Sequence, residues 1–181
     1  MTYRNRGAIL AAGATAALLL AACAPMDSGD GFTTMRLSLN QAENHPSFIA
    51  LDNWSQYMSD TSDEVRIQVF PNETLGAQAE ALQLVSTGIA DMAIVSGTQL
   101  ENLSDDFLVF NMPRVFDDVD HQMEVIHDPQ ITGELYTSLE ESNNITVLGG
   151  FTQGARSVYS TDGPVHTPED LAGQKIRVQE S

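Results

Sequence analysis

From position 35 onward the apolar residues recur first at every second position and then at every third or fourth, and this switching of period limits the chain more than any other feature. It predicts βαβ units feeding a largely parallel sheet, an α/β fold. Met35 to Asn40 alternates apolar and polar residues as a strand does, and His45-Pro46 then opens a helical stretch in which Phe48, Leu51, Trp54 and Met58 share a face. Val65, Ile67 and Val69 line one side of a second strand stopped at Pro71-Asn72; Leu82, Val85 and Ile89 form the stripe of a second helix, with Gly88 at its end. Met92 to Val95 has no polar residue, the pattern of a strand covered on both faces. An apolar stretch from Phe107 to Phe116 broken by Pro113, short helices around Met123 to Ile126 and Leu135 to Leu139, and a strand from Ile145 to Gly149 complete a first α/β lobe over residues 35–150. From 151 the character changes. Ser157 to Ser160 reads as a strand, Thr167 caps a short helix that has Pro168 first and Gly173 after its end, and Ile176 and Val178 alternate with Arg177 and Gln179 in a last strand. With no helix to cover that strand, residues 151–181 read as the start of a second, incomplete α/β lobe in the front part of a longer protein.

Residues 1–22 stand outside this pattern. Arg4 and Arg6 precede an uncharged run from Gly7 to Ala22, short for a membrane span, which is the layout of an export signal. It ends Leu20-Ala21-Ala22-Cys23, which looks like the bacterial lipobox, where a cysteine after small residues receives a lipid. Cys23 is the only cysteine in the sequence, and lipidation would remove an otherwise unpaired thiol from an exported protein. A cleaved secretory signal with a chance cysteine is the competing reading. Residues 23–34, with Ala24, Pro25, Ser28, Gly29 and Gly31, make a flexible tether.

Charge and motifs narrow the function classes. The 25 Asp and Glu against 8 Lys and Arg give a net charge of −17, which argues against a nucleic-acid partner because phosphate binding draws on clustered cations. The acids are scattered, as on a solvated acidic surface. No Gly-x-Ser-x-Gly elbow occurs. His121, Glu124 and His127 are spaced three and three rather than as His-Glu-x-x-His, and read as a solvated helix. Asp117, Asp118 and Asp120 lack the ligand spacing and turn glycine of a calcium loop and read as an acidic helix start. Gly149, Gly150 and Gly154 are followed by no Lys-Ser or Lys-Thr, so no nucleotide loop is expected. Neither a metal, nor a cofactor, nor a catalytic residue follows from these patterns.

Five blocks stand in a recognisable order: Val69-Phe70-Pro71-Asn72 with Leu75-Gly76, then Gly88-Ile89-Ala90-Asp91-Met92-Ala93, Asn111-Met112-Pro113, Gly154-Ala155-Arg156-Ser157, and Thr167-Pro168-Glu169-Asp170-Leu171 with Lys175-Ile176-Arg177-Val178-Gln179. Together, from about Met35 to Ser181, they resemble the DctP family, the solute-binding proteins of TRAP transporters. The resemblance implies a periplasmic-binding-protein-like, two-lobed clamp with mostly parallel sheets, its second lobe truncated here. Such a clamp captures an organic acid outside the cytoplasmic membrane and delivers it to a membrane permease. It further implies that Arg177 is the principal carboxylate anchor, that Arg156 is a second ligand, and that Asn40, Gln78 and Ser96 line the first-lobe side of the cleft. The chemistry suits the arginines, since a guanidinium fork matches a carboxylate with two parallel hydrogen bonds. The alternatives are arginines paired with neighbouring acids, and amide or hydroxyl groups that cap a helix or close a turn. The block around Arg156, with Tyr159 close behind, is similar to that of family members that take sugar acids such as uronates; C4-dicarboxylates are the other class. A secreted lipoprotein hydrolase and a structural surface lipoprotein without ligand are the competing functions.

Overall fold

The computed structural model describes residues 31–152, 154, 157–161 and 163–177. Its sheet has three parallel strands, β1 (Thr33–Leu39), β2 (Val65–Phe70) and β3 (Met92–Ile94), in the order β2-β1-β3. β1 pairs with β2 from Thr33 opposite Val65 to Ser38 opposite Phe70, and with β3 from Leu37 opposite Met92 to Leu39 opposite Ile94. Helix α1 (Pro46–Thr61) crosses from β1 to β2, and α2 (Gln78–Ser86) from β2 to β3. Beyond the sheet come α3 (Gly97–Glu101), a 3-10 helix at Asp105–Asn111, α4 (Val119–His127), α5 (Pro129–Thr137), α6 (Glu140–Asn143) and a 3-10 turn at Pro168–Leu171.

Local chemistry accounts for the crossovers. His45 caps α1, its Nδ1 accepting the Ser47 N–H at 3.2 Å, and Pro46 supplies the fixed φ of a first helical position. Phe48, Leu51 and Met58 then pack on Leu37, Leu39 and Ile67, the first core, where full burial of a large aliphatic side chain is worth about 1.5–3 kcal/mol. Ser55 Oγ bonds the Ile67 carbonyl at 2.5 Å and ties the helix to β2. The consecutive residues Leu37, Ser38 and Leu39 are all buried, so the end of β1 is covered on both faces. A second core of Leu82, Phe107, Leu139 and Ile145 joins α2 to the helical region beyond.

Four expectations are corrected. Ile89 leaves the α2 stripe and is exposed, because Gly88 at φ +73° turns the chain out of the helix. Ile145–Gly149 forms no strand: Ile145 is held by its side chain in the second core, and the Val147 N–H donates to the Tyr136 carbonyl at 2.9 Å rather than to a ladder. Ser157–Ser160 and the described part of the last segment, up to Arg177, also form no strand, while Val178 and Gln179 lie outside the described residues. A strand exists only as half of a ladder, and among the described residues nothing pairs with the outer edge of β3.

Candidate functional site

In an open parallel sheet a ligand crevice lies beyond the carboxyl ends of the strands, where successive connections leave in opposite directions. Here that point falls between β1 and β3, since the chain runs from β1 outward to β2 and then crosses back to β3. Asn40 follows β1 directly, Ser96 stands two residues after β3, and Gln78 opens α2, so all three candidates of the first lobe stand at this one edge. Gln78 and Ser96 touch: Gln78 Oε1 accepts the Ser96 N–H at 2.6 Å. Ser96 Oγ accepts in turn from Thr98 Oγ1 at 3.1 Å, and Thr98 is buried.

Asn40 is half-buried, and the carbonyls on either side of it are fastened by the loop after β2. Glu73 N–H donates to the Leu39 carbonyl at 3.1 Å and Asn72 N–H to the Gln41 carbonyl at 3.0 Å. Both donors are left-handed, Asn72 at φ +57° and Glu73 at φ +55°. The loop closes at Gly76, φ +118°, after which Glu80 Oε2 accepts the Ala77 N–H at 2.9 Å and caps α2. The periodicity marked Pro71-Asn72 only as the stop of a strand; that Glu73 reaches back to β1 had no sequence signal.

Two further residues were given no role of their own from the sequence. Asp91 locks the start of β3 to β1: its Oδ2 accepts the Arg36 N–H at 2.7 Å and lies 3.5 Å from Arg36 Nε, while its own N–H donates to the Arg36 carbonyl at 3.1 Å. Glu101, buried in α3, accepts from Asn111 Nδ2, which gives the Asn111-Met112-Pro113 block a packing role. Arg66 is likewise committed, its guanidinium 4.7 Å from the Phe32 ring centre and bonded to the Ser62 and Val65 carbonyls.

Of the two arginines predicted as anchors, only Arg177 is among the described residues. Arg177 is exposed and forms no hydrogen bond or ion pair with a described residue; Arg156, like Cys23, lies outside the described residues. In the turn at Pro168–Leu171, Asp170 Oδ2 accepts the His166 and Thr167 N–H groups at 2.8 and 2.9 Å, and these bonds hold its carboxyl below the ordinary 3.8. In the helical region, the acidic start of α4 is as expected: Asp118 Oδ1 accepts the His121 N–H at 2.8 Å, and His121 Nδ1 accepts the Asp117 N–H at 3.2 Å. Among the described residues no three His, Cys, Asp or Glu side chains converge to hold a metal ion, and no helix is long and apolar enough to cross a membrane. Tyr136 is a half-buried donor, its OH bonded to the Ile126 carbonyl at 2.8 Å, and desolvation pushes the phenol up. Two shallow hollows, an apolar one of about 270 Å³ beside Phe110 and Ile131 and an amide-lined one of about 400 Å³ beside Gln83 and Gln99, include none of the rim candidates.

Known proteins supply the frame for this rim. Residues 37–181 match DctP, the bacterial extracellular solute-binding protein family 7. The chain is 34% identical over 153 residues to the uncharacterised protein YiiZ of Salmonella typhimurium, covering 83% of this chain and 46% of that protein. It is 29% identical over 141 residues to the C4-dicarboxylate-binding protein DctB of Bacillus subtilis, covering 77% and 40%. A TRAP periplasmic solute binding protein from Anaerococcus prevotii, solved with bound D-glucuronate, superposes with a TM-score of 0.73 at 37% identity, over 82% of this chain and 48% of that one. The chain therefore spans less than half the length of these relatives. A family match over most of the chain, with a parallel sheet of the same fold, shows that the chain belongs to the DctP family of bacterial extracellular solute-binding proteins.

Proposed function

We propose that this chain is part of the extracytoplasmic solute-binding component of a TRAP transporter, which captures an organic acid without turning it over and delivers it to the membrane permease. The observation that carries the reading is the convergence of Asn40, Gln78 and Ser96 on one carboxyl edge of the sheet, at the topological switch point. In this reading they face the neutral part of the solute, and Arg177 with Arg156 supplies the carboxylate fork from the second lobe. The use of two of the other cations supports that assignment. Arg36 is paired with Asp91 and Arg66 is bound to backbone carbonyls and Phe32, so neither is available to a solute. In a chain of net charge −17, a carboxylate needs such a local fork to outweigh the surrounding repulsion. Cys23 would carry the lipid that keeps the protein at the outer face of a bacterial membrane.

A sugar acid is the favoured solute, because the Anaerococcus prevotii protein, 37% identical, holds D-glucuronate. The name of the Bacillus subtilis relative favours a C4-dicarboxylate as the second reading. Calorimetric titration of the full-length protein with D-glucuronate and with succinate separates them. Arg177→Ala is expected to lose about 2–5 kcal/mol of binding free energy, the range for removing one partner of a buried hydrogen-bonded charge pair. Arg177→Lys recovers only part of it, since lysine keeps the charge but not the fork. Wild-type affinity in the Arg177→Ala protein would overturn the anchor assignment.

A further inference from the structure

We propose that the segment Pro71–Glu80 is a positioning brace that sets the distance between Asn40 and Ser96 across the rim, and that Gln78 acts within it as a positioning residue. The inference rests on the solute-capture reading of the rim and adds residues to it. The segment is bonded to both strand ends. Its first half fastens the carbonyls flanking Asn40 through the Glu73 and Asn72 N–H groups, at 3.1 and 3.0 Å. Its second half ends in Gln78, whose Oε1 holds the Ser96 N–H at 2.6 Å. Between the halves, Gly76 at φ +118° turns the chain into α2, and Glu80 closes the turn through the Ala77 N–H. Asn40 and Ser96 follow adjacent strands, so their backbones are set by the β1–β3 ladder only up to Leu39 and Ile94. Past those residues the brace takes over.

The backbone conformation shows that the fastening is imposed. Asparagine tolerates the left-handed region because its short polar side chain can bond the local backbone, whereas the longer glutamate side chain lacks that compensation, and Glu73 at φ +55° is held by its bond to Leu39. The Gln78 side-chain oxygen accepts the Ser96 N–H and so serves the position of Ser96, while its amide N–H groups remain to face a solute.

The test compares Glu73→Gly with Glu73→Val in the full-length protein, titrated with D-glucuronate, galacturonate and succinate at a temperature where each variant is fully folded. Glycine adopts the left-handed conformation freely, whereas a β-branched residue is driven out of it. The expected result is affinity within twofold of wild type for Glu73→Gly and at least tenfold weaker for Glu73→Val. A folded Glu73→Val protein that binds as wild type does would overturn the brace, as would equal losses in both variants, which would assign the effect to the glutamate side chain. Amide hydrogen exchange on the wild-type protein covers the event that valine prevents folding. Saturating D-glucuronate should raise the protection of the Asn72, Glu73 and Ser96 amides together and leave that of Asp91, at the far end of β3, less changed; no rise at the three rim amides overturns the proposal. Wild-type protein that binds none of the three acids overturns the capture reading and the brace with it, whereas wild-type binding beside an unaffected valine variant overturns the brace alone.

Discussion

Replacing Gly76 by alanine tests whether the turn into α2 is as tightly built as its geometry indicates. At φ +118° a residue with a Cβ is strained, which costs on the order of 1–3 kcal/mol. The added methyl would stand 2.6 Å from Glu80 Oε2 and 3.0 Å from Glu80 Cβ. The carboxylate can swing away, but doing so gives up its bond to the Ala77 N–H, a cap worth about 0.5–2 kcal/mol. The Cβ contact cannot be relieved without moving the first turn of α2. Against these losses, alanine narrows the unfolded ensemble and returns about 0.4–1 kcal/mol. The net expectation is a destabilisation of about 2–3 kcal/mol, read as a lower urea midpoint at unchanged slope. Glu80→Ala alone should lose only the cap, about 1 kcal/mol. The double variant should lose less than the two singles together, because the carboxylate that meets the new methyl is gone. A Gly76→Ala protein within about 0.5 kcal/mol of wild type, the usual span of inert surface changes, would refute the reasoning.

Two further outcomes are expected. Mass spectrometry of protein taken from its native cell envelope should find the mature chain beginning at a diacylglyceryl-modified Cys23; a different amino terminus, or a free thiol at Cys23, counts against the anchor. Asp170 is lowered below its ordinary 3.8 by the His166 and Thr167 N–H groups, so its contribution to the turn at Pro168–Leu171 is present above that value and is lost as the pH falls through the lowered folded value. Amide exchange at His166 and Thr167 should therefore quicken relative to neighbouring amides in that acid range, and Asp170→Asn should remove the dependence; an unchanged profile in the variant would show that another group governs it.

How far the sequence reached depended on the range of the bonds involved. Helices α1 and α2 and the acidic start of α4 were legible because a helix closes its hydrogen bonds within four residues, and because caps such as His45 and Asp118 act on the next turn. Strands β1 and β2 were legible through the alternation of Leu37 with Leu39 and of Val65, Ile67 and Val69, and their parallel pairing through the helix between them. The placing of Asn40, Gln78 and Ser96 came from a resemblance in motif order, and their edge of the sheet follows from strand polarity. Only the tertiary structure decided the rest. It turned Ile145–Gly149 from a predicted strand into a segment held by a buried side chain and one bond to Tyr136, since alternation cannot say whether a partner strand stands alongside. It committed Arg36 to Asp91 across 55 positions, and Glu73 and Asn72 to the carbonyls around Asn40, contacts between residues whose neighbourhood exists only once β1, β2 and β3 lie side by side.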